Sequence, residues 1–188
     1  MDAPLTPPRP TNPLRRAMNA EALKMGLMMA GLMIAFSLTL HFAGMMTNRG
    51  LGSIVYLLIF VGLFLGVKNF RDTQLNGIIS FGAAFGMGFR ILLYAGLVYM
   101  IYSYIYFKTF GHDTLGVMRD TMESELAKTG ISESQEEQMM DMYRKYVFIP
   151  AAMAISAFLG TLLVGAILSL INAAILKRQP ETLEPPMP

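Results

Sequence analysis

Apolar positions along this chain fall into four long blocks. Residues 25–46 and 148–176 contain no charged side chain, and each exceeds the roughly 18 apolar residues that mark a membrane-spanning candidate. Residues 51–67 form a 17-residue block, and a further one ends at Phe107. Lipid offers no partner to a bare N–H or C=O, so each block must close its own hydrogen bonds and is expected to be a helix. The expected fold class is all-α, a four-span transmembrane helix bundle. Thr47-Asn48-Arg49-Gly50 is too short for anything but an antiparallel turn between the first two spans. The second span is expected to cross nearly upright, and the fourth, close to 30 residues long, to tilt or project. Pro150 suits the first turn of the fourth span, where its missing N–H costs little.

Between the third and fourth spans the pattern changes. Residues 108–146 hold 13 of the 28 charged side chains, and Leu115, Met118, Met122 and Leu126 recur there at helical spacing. Gly130 can supply a left-handed stop, with Ile131 folding back on Leu126, and Ser132 with Gln135 reads as a capping box. Met139, Met142, Tyr143 and Tyr146 make a second apolar stripe. Residues 108–147 therefore read as an extramembrane amphipathic helical hairpin, whose second helix is expected to run straight into the fourth span. The remaining organisation is a Pro-rich disordered tail and basic flank (1–24), three spans (25–107), the fourth span (148–178) and a second disordered tail (179–188).

Charge sets the topology. With both tails cytoplasmic, Arg9, Arg15, Arg16, Lys24, Lys68, Arg71, Lys177 and Arg178 lie inside and Arg90 enters from that side, against six basic residues outside. Both termini are thus expected in the cytoplasm and the hairpin outside. At 22 residues, 25–46 is too long for a signal-peptide core, so it reads as a retained span. A net charge of +2 with scattered basic residues argues against nucleic acid. The chain has no cysteine, which removes disulfides and thiolate metal sites. His41 and His112 have no carboxylate at ligand spacing, so no metal or cofactor is expected.

Few residues invite a functional reading. Arg90 would cost about 2.5–3.5 kcal/mol at the bilayer centre. It is expected to snorkel toward the inner interface, the alternatives being a pair with Asp72 or an anionic headgroup. The inner loop brings Arg71 and Asp72 close to Ser80, which is placed to cap the third span, a combination able to receive an anionic lipid. The Met118, Met122, Met139 and Tyr143 faces are candidate partner contacts, since methionine adapts to varied surfaces. Tyr99, Tyr102 and Tyr106 share one face and read as an interfacial belt. The small pairs Gly26/Ala30, Gly62/Gly66, Gly82/Gly86 and Gly165/Ser169 permit close helix packing. No nucleophile–base pair, metal cluster or phosphate loop is visible.

Phe70-Arg71-Asp72, then Asn76-Gly77-Ile78-Ile79-Ser80-Phe81-Gly82 with Ala84-Phe85, resembles the bacterial membrane family called domain of unknown function 4199. The resemblance continues through Met142-Tyr143-Arg144, Gly165, Ser169-Leu170-Ile171 and Ile175-Leu176-Lys177-Arg178. The chain departs from the family at Asn76-Gly77, often Gly-Gly, and at Ala83, often Lys. The resemblance implies a four-span bacterial inner-membrane protein and brings no catalytic residue with it. The function expected is that of a non-enzymatic accessory or scaffold subunit, with the bilayer and a membrane-protein partner or second copy as its contacts. The alternative is a small transporter or anionic-lipid-handling protein using the basic inner loop and Arg90.

Overall fold

A computed structural model describes residues 13–46 and 48–178, Arg49 by its backbone alone. The Pro-rich stretches at 1–12 and 179–188 lie outside the described residues. Four helices are long and apolar enough to cross a membrane: α1 (Pro13–Phe42), α3 (Ile54–Gln74) together with the short α2 (Arg49–Gly52) that leads into it, α4 (Phe81–Thr109) and α7 (Pro150–Leu176). Between α4 and α7 lie α5 (His112–Ala127) and α6 (Glu133–Tyr146). No strand occurs among the described residues. The architecture is all-α, as the sequence implied.

Helix ends depart from the hydropathy pattern in two places. α1 begins at Pro13, so residues 13–24, expected to belong to a disordered tail and basic flank, are helical. Pro13 occupies the helix start, where no N–H is needed, and Ala17, Ala20, Glu21, Ala22 and Leu23 are good helix formers. Ala22 is also fully buried, so the packed face continues below the apolar block. α3 likewise continues past Val67 to Gln74, taking in most of the expected loop. Phe70 and Arg71 are buried there and hold these last turns to the bundle.

Both N-caps read from sequence are present, and Gly130 takes the left-handed conformation (φ 72°), although α5 already ends at Ala127. Ala83 N–H donates to Ser80 Oγ (3.3 Å) at the start of α4. Ser132 and Gln135 form the full capping box on α6. Asn76 (φ 51°) and Gly77 (φ 81°) both adopt the left-handed conformation, which turns the chain between α3 and α4.

α4 is the central helix, packing on α1, α3 and α7, while α3 also packs on α1 and α7. Three of the four small-residue pairs lie in these seams. A Cβ on Gly26 would meet α4, one on Gly66 would meet Ile91, and one on Gly165 would meet Leu92. Gly82 faces open space and Gly86 only Arg90, so that pair is not a seam. α7 is inverted relative to a water-soluble helix. Its buried side carries Thr161, Gly165, Ser169 and Asn172, while Ile155, Leu159, Leu163, Ile167, Ile171 and Ile175 form an exposed stripe at every fourth residue. Polar-in, apolar-out is the arrangement a lipid solvent demands.

α6 does not run straight into α7, contrary to expectation. It stops at Tyr146, and Ile149 adopts an extended conformation (ψ 146°) before Pro150 opens α7. The proline ring clashes with a helical residue ahead of it, which forces the break.

Candidate functional site

The functional candidates separate into two ends of the bundle, the tail end (start of α1, end of α7) and the insert end (α5 and α6). At the tail end Arg71 is only 6% exposed. Its Nε donates to Asp72 Oδ1 (2.7 Å) and its Nη1 to the Leu176 carbonyl (3.4 Å) at the C-terminus of α7. A guanidinium at that position satisfies a carbonyl left open by the helix and complements its dipole. Just beyond, Ile79 and Arg178 exchange backbone hydrogen bonds of 3.1 and 2.9 Å. Arg71 thus ties α3 to α7, Asp72 holds its guanidinium, and Ser80 caps α4.

Arg90 is apart from them. Its Nη1 donates to Gly86 O (2.9 Å), one turn back toward the tail end, and contacts Met18 Sδ (2.9 Å) on α1. The side chain thus turns toward the tail end, and the salt bridge of Asp72 is with Arg71. The four tail-end residues named from sequence do not form one site.

Within the spans, the sequence reading missed Asn172, which is completely buried. Its Nδ2 donates to Phe60 O (3.3 Å) on α3 and to Leu168 O (3.1 Å), while Oδ1 has no partner among the described residues. Ser169, one turn away, donates to Phe85 O (3.4 Å) on α4. A single Asn in an uncharged apolar run was the available signal.

The tyrosines do more than line an interface. Tyr102 OH donates to Ser37 Oγ on α1 (3.0 Å). Tyr106 is 2% exposed, a correction to the interfacial-belt reading, and its hydroxyl lies 3.0 Å from both His41 Nδ1 on α1 and Thr114 Oγ1 on α5. One phenol thereby joins two spans and the insert. Sequence could not place His41 and Thr114 around it, because they are 65 and 8 residues away.

Around this junction lies a second core of Tyr106, Phe107, Leu115 and Phe148, against which Met118, Met122 and Tyr143 pack. The guanidinium of Arg119 sits 6.0 Å from the centre of the Phe148 ring. Beside this core runs an open groove of about 410 Å³, lined by Met46, Val117, Met118, Met122 and Phe148 together with Thr114, Thr121 and Glu125. α6 has a separate groove of about 400 Å³ formed by Met139, Met142, Tyr143, Tyr146 and Val147. Its side toward α5 buries Met140 instead. The Met118/Met122 and Met139/Tyr143 contacts proposed from sequence thus belong to two faces. A smaller cavity of about 220 Å³ lies among the spans, with Tyr56, Tyr99 and Thr161 on an otherwise apolar wall.

Four apolar helices with their polar side chains turned inward define an integral membrane protein. The chain matches the family described as "Protein of unknown function (DUF4199)" over residues 24–178, and it belongs to that family. No curated protein and no solved structure matches it.

Proposed function

We propose that this protein is a non-enzymatic accessory or scaffold subunit of the bacterial inner membrane, with both termini cytoplasmic and α5–α6 on the outer face. The partner is an apolar segment of another membrane protein, held in the α5 groove. The observation that carries this reading is the open, mostly apolar groove lined by Met46, Met118, Met122 and Phe148. Methionine side chains reshape readily and gain contact energy from a varied apolar surface. The groove also rests on the Tyr106 junction, so its floor is fixed to two spans rather than to a free loop. The residues most suggestive of other chemistry have structural work: Arg71 clamps α7, and His41 joins Tyr106. That leaves the lipid-handling alternative resting on Arg90.

A photo-crosslinking residue at Thr121, which lines the groove, tests the proposal in intact membranes. One stoichiometric protein should crosslink there and not from Glu137, and Met122→Glu should abolish the adduct while Met122→Leu preserves it. Repeated recovery of the uncrosslinked chain alone would refute the partner.

A further inference from the structure

We propose that the last turns of α6 with its C-cap, residues 139–147, lie in the lipid headgroup layer at the insert end of the bundle. This inference is independent of the partner proposed for the α5 groove, because it concerns a different set of residues, on α6. Met142 and Tyr146 are 57% and 60% exposed, and Val147 and Ile149 continue the strip to the first residue of α7. From there it joins the Ile155, Leu159, Leu163 stripe that faces lipid. The strip is therefore an extension of the bilayer-facing surface.

Its composition changes with distance from that surface. Along α6 away from the bundle, the same face turns from Tyr146, Met142 and Met139 to Gln138 and Gln135, so it is apolar only beside the spans. A helix leaving the membrane at a slant has this gradient; a uniform protein contact has no need of it. Acidic Glu133, Glu137 and Asp141 occupy the other side of the helix, away from headgroup phosphates. Lys145 flanks the strip with its Nζ 5.2 Å from the centre of the Tyr146 ring. Tyrosine with lysine is the usual anchor pair at a membrane–water boundary. Phe42 and Phe110, 83% and 62% exposed at the adjoining ends of α1 and α4, mark the same level. The break at Ile149 lets α6 bend over to reach that layer, which a continuous α6–α7 rod could not do.

The absence of cysteine allows single-site labelling of the full chain without further changes. Met142→Cys and Glu137→Cys, both at exposed positions, are labelled with an environment-sensitive fluorophore and reconstituted into phosphatidylethanolamine–phosphatidylglycerol vesicles. An interfacial helix buries its apolar face about 5–10 Å into the headgroup–acyl boundary. The Met142 label should therefore show blue-shifted emission that is lost with lipid carrying a nitroxide near its carbonyls. The Glu137 label should be quenched by aqueous iodide. Two results overturn the proposal: quenching of the Met142 label by iodide alone, or its protection from both quenchers, which would mean that a second copy or another protein covers the strip. Circular dichroism of each labelled protein verifies that the helices are retained.

Discussion

Replacing Gly26 with alanine should loosen the contact between α1 and α4. A Cβ built there lies 2.8 Å from Tyr94 Cβ, 2.9 Å from the Ile91 carbonyl and 3.2 Å from the Ala95 nitrogen. Two of these three atoms are backbone, so no rotamer change can relieve the clash and the helices must separate. Gly31 is the internal control, since it lies on the same helix and its added Cβ meets nothing within 4 Å. Both substitutions gain the same helix propensity, about 1 kcal/mol, so that contribution cancels between them. What remains is overpacking, about 1–3 kcal/mol. At about 2–4 °C per kcal/mol for a chain of this size, Gly26→Ala should melt about 2–12 °C below Gly31→Ala. Thermal unfolding in a mild detergent, followed by circular dichroism at 222 nm or by the loss of the monodisperse peak, measures the difference. Equal melting of the two variants would refute the close α1–α4 approach.

Two further substitutions test the ends of the bundle. Arg71→Met keeps the buried stem but removes the donor to Leu176, so the final turn of α7 should lose about 1 kcal/mol of local stability. Hydrogen exchange at Lys177 and Arg178 should accelerate, and unchanged protection would rule out the clamp. Tyr106→Phe removes one hydroxyl from between His41 and Thr114, costing about 1–2 kcal/mol. Trypsin should then cut faster at Lys108 and Arg119 while the spans stay intact; identical cleavage would show that the hydroxyl does not secure the insert.

The spans were legible because lipid imposes a long-range rule on composition, and the chain obeys it with uncharged blocks. Caps were legible for a different reason: Ser80, Ser132 and Gln135 act within four residues, inside the range of a local motif. Hydropathy could not reveal that residues 13–24 continue α1, since that segment is held by a packed face and not by apolarity alone. Arg71 looked like a loop charge for the same reason, because only the folded chain shows that α7 ends beside it. The α6–α7 break could have been read from Ile149-Pro150, but the apolar continuity across that joint pointed the other way. Asn172 and Tyr106 were opaque, since the meaning of a buried polar group lies in partners that sequence does not bring near. The candidate site was legible as a set of methionines and not as two separate faces.

The clamp at Arg71 also bears on biogenesis. The carbonyl it grips, Leu176, lies 105 residues further along the chain, so during synthesis the first spans are in place well before the contact can form. Until then Arg71 has its ion pair with Asp72 but not the α7 carbonyl. Closing the clamp therefore belongs to the last stage of assembly, when the open carbonyl of α7 meets a guanidinium already held by Asp72.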